Sequence, residues 1–112
     1  MNSSDNCPII SNETQLNETL KNNQKAVILF YASWCPFSQR FLPSFLESAK
    51  KNKQSHLRVL IDDCEELAEK YQIEIYPTVL YFINGEVSAR LDGIAHQGLT
   101  ASALNDFLNS CN

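Results

Sequence analysis

The sequence predicts an α/β domain, with a central mixed β-sheet flanked by helices on both faces. Three observations predict it. Two apolar, β-prone runs, at 25–31 and 56–61, are each followed by a stretch of helical periodicity. Strand–helix alternation of this kind favours parallel pairing, because parallel neighbours need a crossover between them. Later in the chain, Asn84-Gly85 stands between two further β-prone runs, and a two-residue turn of that composition makes an antiparallel hairpin.

Residues 1–7 read as a disordered or frayed polar tail, and 8–112 as the domain. Pro8-Ile9-Ile10 opens an edge strand, where proline is tolerated at the first position. Ser11 is the expected N-cap of a helix to about residue 23, with Leu16 and Leu20 on one face. Val27-Ile28-Leu29-Phe30-Tyr31 is apolar throughout, as in a strand buried on both faces. From Pro36 the pattern turns helical, and Phe37, Phe41, Phe45, Leu46 and Ala49 form a stripe reaching about residue 53. Pro43 lies within this stripe and is expected to bend the helix without ending it. The stripe is assigned to the core, with Phe37 left open. After the strand at 56–61, Asp62-Asp63 suit a cap for a short helix at 65–71. A connector at 73–77 leads to the hairpin strands at 78–83 and 86–91, and 93–98 is a loop. Leu104, Phe107 and Leu108 mark a last amphipathic helix from Thr100.

At 112 residues, 44% of them hydrophobic, the chain is one domain with enough length for a real core. A net charge of −4 without a basic cluster speaks against nucleic-acid or anionic-membrane binding, and no apolar run approaches a membrane span. A monomer is expected. Cys7, Cys35, Cys64 and Cys111 lack the paired spacing of zinc ligands, and His56 and His96 lie far from them, so no metal is expected. The polar first residues lack the regions of a signal peptide. The chain as written is therefore expected in the cytoplasm, or in the secretory pathway or ER lumen if it has been trimmed. Asn2, Asn12 and Asn17 fit the N-glycosylation acceptor pattern, of which a chain rich in Asn, Ser and Thr gives about one or two by chance.

The stretch that carries chemistry is Trp34-Cys35-Pro36-Phe37-Ser38, where the buried strand hands over to a helix. A thiol at a helix start sits in the positive end of the dipole, beside N–H groups without intrahelical partners. Those groups stabilise a thiolate, the reactive form.

Five features share one register: residues 30–35 ending a buried strand, Pro43, Ala68-Glu69-Lys70-Tyr71, Tyr76-Pro77-Thr78, and Asn84-Gly85 followed by Gly93. Together they resemble the thioredoxin fold over residues 8–108. The Trp34-Cys35-Pro36-Phe37-Ser38 sequence is similar to that of plant adenylylsulfate-reductase-like proteins, a group with a single active-site cysteine. Tyr76-Pro77-Thr78 resembles protein disulfide isomerase domains. The resemblance implies a cis Pro77 facing a catalytic Cys35. It also implies a client groove formed by Trp34, Tyr76, Pro77 and Gly93, with Pro36 and Phe37 beside it.

The departures narrow the chemistry. Thioredoxins carry a second cysteine where this chain has Ser38, so no internal disulfide closes there and a mixed disulfide at Cys35 needs an outside thiol. Ser38 is expected to donate a hydrogen bond to the Cys35 thiolate. Leu29 stands where the family has a buried acid, and Arg58 where thioredoxins often have its lysine partner; Arg58 is read as solvated or structural. Cys64, at a helix start, is either a second redox cysteine or an inert small residue. Cys7 and Cys111 either tie the termini together or remain free thiols.

Two functions follow. The first is a monothiol thiol-disulfide exchange protein that uses Cys35 and Ser38 on cysteine-containing client proteins. Its action is isomerase-like, deglutathionylating or thiol-trapping, it needs no cofactor, and glutathione is one candidate resolving thiol. The second is a non-catalytic, chaperone-like binding module that uses the groove beside Pro77.

Overall fold

Each helical stretch packs its apolar side against a strand run, and this sets the element order. A computed structural model describes residues 7–111, so residues 1–6 of the predicted tail lie outside the described residues. Cys7, counted with that tail, is buried, and its carbonyl accepts from Arg58 Nε at 3.1 Å. Cys7 therefore belongs to the folded part and not to a frayed tail.

The elements are β1 (Ile9–Ile10), α1 (Glu13–Asn22), β2 (Lys25–Tyr31), α2 (Pro36–Lys51), β3 (Ser55–Leu60), α3 (Glu65–Lys70), β4 (Thr78–Ile83), β5 (Glu86–Leu91) and α4 (Ala101–Cys111). The sheet order is β1-β3-β2-β4-β5. Strands β1, β3 and β2 pair in parallel, while β4 is antiparallel to both β2 and β5. The antiparallel β2–β4 pair departs from the expectation that alternation gives parallel neighbours. The connection from β3 to β4 holds a 3₁₀ turn, the six-residue α3 and a connector, and it leaves the chain at the end of the sheet where β3 finished. Strand β4 starts near the end where β3 finished and runs the other way.

Strand β2 is central, with six of its seven residues buried. Its alternate side chains feed two cores. Ile28 and Phe30 join Leu16, Leu20, Leu67, Leu80 and Phe82, while Val27, Leu29 and Tyr31 join Phe41, Phe45, Val79, Leu104 and Leu108. Each fully buried Leu or Phe contributes about 1.5–3 kcal/mol of apolar burial. Helix α2 runs through Pro43 without breaking, as its apolar period requires.

Three local expectations are corrected. The N-cap of α1 is Asn12 rather than Ser11: the Asn12 side chain accepts from the Gln15 N–H at 2.9 Å, and the Ser11 N–H donates to Gln15 Oε1. Helix α2 stops at Lys51, two residues short of the predicted end. Asp62 and Asp63 do not cap α3; they lie in a 3₁₀ turn, Ile61–Asp63, and Cys64 takes the cap position without a side-chain cap bond. The hairpin matches residue for residue, with Asn84 and Gly85 both left-handed (φ 52° and 85°), as a tight turn between twisted strands demands. No described helix is long and apolar enough to cross a membrane.

Candidate active site

Strand β2 ends at Tyr31, a short turn follows, and Cys35 becomes the N-cap of α2 with Pro36 in the first turn. The Cys35 N–H donates to Ala32 O at 3.3 Å, and its carbonyl accepts from the Gln39 N–H at 3.1 Å. The cysteine is therefore fixed by backbone on both sides. Cys35 as a residue is 7% exposed and its thiol donates to the Tyr76 carbonyl at 3.7 Å, while neighbouring Trp34 is 67% exposed. Tyr76–Pro77 is a cis peptide bond. The Trp34 and Tyr76 rings meet edge to face at 6.0 Å.

Pro77 and Gly93 are buried. A Cβ built on Gly93 collides with the Pro77 carbonyl oxygen and comes within 3.0 Å of Ile75 Cγ2, so only glycine allows this close approach. Thr78 locks the corner: its hydroxyl donates to Ile75 O at 2.6 Å and accepts from the Gly93 N–H at 3.2 Å. Trp34, Cys35, Tyr76, Pro77 and Gly93 are thus gathered in one place. Pro77 and Gly93 contribute backbone proximity, and the exposed surface comes from Trp34, Tyr76 and Ile75. Pro36 is exposed beside Cys35. Phe37 is half-buried, packed against Gly98 and under the Arg40 guanidinium at 5.6 Å, so it anchors the helix start to the loop at 93–98.

Residues 8–109 match the family model described as Thioredoxin. The chain belongs to the thioredoxin family. A thioredoxin of Mycoplasmoides gallisepticum is 33% identical over 85 residues, covering 75% of this chain and 85% of that protein. The endoplasmic reticulum resident protein 44 of Bos taurus is 35% identical over 91 residues, covering 73% of this chain but only 22% of that protein. Among solved structures, a Plasmodium falciparum thioredoxin superposes with a TM-score of 0.83 at 25% identity, over 93% of this chain and 98% of that one. The relatives place the chain among thiol-disulfide oxidoreductases, and the fold is the thioredoxin fold.

Against that family pattern, Ser38 needs a correction. It is fully buried, and its hydroxyl oxygen accepts from the Ala32 N–H at 3.2 Å. The expected Ser38–Cys35 hydrogen bond is not among those formed by the described residues. The serine faces the end of β2, where it satisfies a backbone donor.

Cys64 is also buried, and its thiol donates to Leu60 O at 3.5 Å. Burial, with Glu66 and Asp63 adding negative charge, pushes this thiol up to about 11. It is a protonated, enclosed thiol, which fits the inert alternative. Burial likewise pushes Cys7 up to about 11, against the opposing charge of Arg58. All four cysteines are unpaired, so neither the Cys7–Cys111 nor the Cys35–Cys64 disulfide is present. Arg58 proves structural: its side chain holds Cys7 O, and its N–H donates to Pro8 O at 3.0 Å.

Two parts of the site escaped the sequence. Ser33 has its N–H held by Asp62 Oδ1 at 3.1 Å, its hydroxyl by Asp62 Oδ2, and its carbonyl by Gln39 Nε2. This clamps the turn immediately before Trp34 and Cys35. The Ser33 hydroxyl and then its N–H hold the Asp62 carboxyl below its ordinary range. Arg90 donates to Tyr71 O at 2.9 Å, to Gln72 O at 3.1 Å and to the Asp92 carboxylate, joining α3's end to the strand leading into Gly93. Ser33 and Asp62 are 29 residues apart, and Arg90 is 19 and 18 from Tyr71 and Gln72, too far for a local pattern to pair them.

Proposed function

We propose that the protein is a monothiol exchange protein whose Cys35 forms mixed disulfides with cysteine-containing clients. The observation that carries this reading is the placement of Cys35 at the start of α2, 3.7 Å from the Tyr76 carbonyl, with the buried Ser38 hydroxyl where a second thiol would stand. The Cys35 thiolate attacks one sulfur of a client disulfide. That S–S bond breaks, a Cys35–client disulfide forms, and the other sulfur leaves as a thiolate. No resolving thiol is supplied at Ser38, and Cys64 is enclosed, so a second thiolate from outside, such as glutathione, must release Cys35.

The test uses intact-mass measurement after exposure to oxidised glutathione. One adduct on Cys35, removed by added reduced glutathione, is the expected result. Sustained insulin reduction with dithiothreitol by the unaltered chain would contradict the monothiol reading. Client capture that survives Cys35→Ser unchanged would favour the non-catalytic binding module instead.

A further inference from the structure

Tyr76 sits in the stretch between α3 and β4, and its place depends on how that stretch is held at its two ends. The far end is held by Thr78, whose hydroxyl joins Ile75 O to the Gly93 N–H. The near end turns at Gln72, whose φ of 54° is left-handed, a conformation glycine takes freely and glutamine does not. Two backbone bonds close α3 at this turn, from the Gln72 N–H to Glu69 O at 3.2 Å and from the Ile73 N–H to Ala68 O at 2.8 Å. The carbonyls of Tyr71 and Gln72 lie beyond those bonds, and one side chain takes both. Arg90 donates through Nη1 to Tyr71 O at 2.9 Å and through Nη2 to Gln72 O at 3.1 Å. The same guanidinium donates through Nε and Nη2 to the Asp92 carboxylate, one residue before the Gly93 that abuts Pro77. Arg90 reaches α3 because it stands opposite Leu80 in the β4–β5 ladder, and Leu80 shares a core with Leu67, Ala68 and Tyr71.

The ion pair alone carries little, since the Arg90 and Asp92 side chains are 35% and 54% exposed. The weight lies on the fork: one planar group holds the start of the connector and the strand leading to Gly93 at a fixed spacing. We infer that Arg90 is a positioning residue for exchange at Cys35, acting on the corner where Tyr76 O meets the Cys35 thiol at 3.7 Å. Its own bonds go to Tyr71, Gln72 and Asp92, and the backbone from Gln72 to Tyr76 carries its effect to the groove. Arg90→Lys keeps the charge and loses the fork, so it cannot serve the three partners together. The inference rests on the proposed exchange with clients at Cys35.

The experiment follows adduct formation on Cys35 by intact mass, at equal folded fraction, with a short disulfide-bearing peptide and with hydroxyethyl disulfide. The peptide must lie against the Tyr76 wall, whereas the small disulfide need only reach the sulfur. Arg90→Lys and Arg90→Ala are expected to slow the peptide about three- to tenfold and to leave hydroxyethyl disulfide within about twofold. A further variant separates position from stability. Gln72→Gly in the Arg90→Ala background relieves the left-handed turn without restoring the grip, so the urea midpoint rises while the peptide rate stays low. Unchanged peptide rates, equal slowing of both disulfides, or a peptide rate that returns with the midpoint overturns the inference. If the unaltered chain forms no adduct with either disulfide, the exchange reading fails. Peptide binding, read by fluorescence of Trp34, the chain's one tryptophan, then decides the role of Arg90: weaker binding by Arg90→Lys supports it and equal binding overturns it.

Discussion

Leu29 on β2 stands directly across the ladder from Arg58 on β3. The pair occupies neighbouring places where the family would set an acid and its basic partner, yet the guanidinium here is turned to Cys7 O and the leucine is wholly buried. Putting the acid back is therefore a burial problem, not a restoration. Leu29→Asp is expected to cost about 3–5 kcal/mol in urea unfolding at neutral pH, with no gain in insulin reduction.

The hydroxyl of Ser38 lies where a resolving sulfur would be needed. Ser38→Cys is expected to convert the chain to a dithiol protein, with an oxidised form linked between Cys35 and the introduced thiol and with measurable insulin turnover. Ser38→Ala is expected to cost about 1–3 kcal/mol, because it strips the buried Ala32 N–H of its acceptor. Peptide mapping and urea unfolding read the two outcomes.

The Asp62 clamp on Ser33 carries a pH signature. Its carboxyl is held below the ordinary value of 3.8 in the folded state, so the stabilisation it provides is complete above that value and is lost as pH falls through the folded one. Trp34 fluorescence is expected to stay constant from pH 7 to about 5 and to shift below about 4. Asp62→Asn is expected to abolish that acid transition.

His56 predicts a second, milder dependence. It is 2% exposed, with Nδ1 2.9 Å from Gln54 O and Nε2 2.9 Å from Ser48 Oγ. These partners suit a neutral ring whose Nδ1–H donates and whose Nε2 accepts. Burial lowers its folded pKa below 6.5, so the unfolded chain binds the proton more readily, and stability falls as pH drops below about 6.5. Unfolding at pH 7.5 and 5.5 is expected to show this loss, and His56→Gln to remove the slope between the two.

Gly93→Ala tests the corner of the groove. The added methyl meets the Pro77 carbonyl, so a loss of about 1–3 kcal/mol is expected. Slower adduct formation on Cys35 at equal folded fraction would show that the corner serves the site as well as the fold.

The hairpin was legible because Asn84-Gly85 supplies the one local geometry that twisted strands accept, and its strands fall at the predicted residues. The junction at Cys35 was legible for the same reason: a buried run, a thiol and a proline are adjacent in the chain. Asp62 was misread as a cap because its partner, Ser33, is 29 residues away. The thiol of Cys64 carries no sequence mark of its enclosure, which depends on Leu60 and its packed neighbours. The direction of β4 was missed because strand–helix alternation says which elements follow one another and nothing about the path the connection takes between them.

Strands β2 and β4 carry the two walls of the groove, and their ladder from Lys25 opposite Ile83 to Phe30 opposite Thr78 fixes where Cys35 and Tyr76 meet. Helix α3 leads into the cis Tyr76–Pro77 corner, whereas the Asn84-Gly85 tip lies at the opposite end of β4. Insertions in α3 should therefore be tolerated far less well than insertions at the Asn84-Gly85 tip, although both lie on the surface of the same sheet.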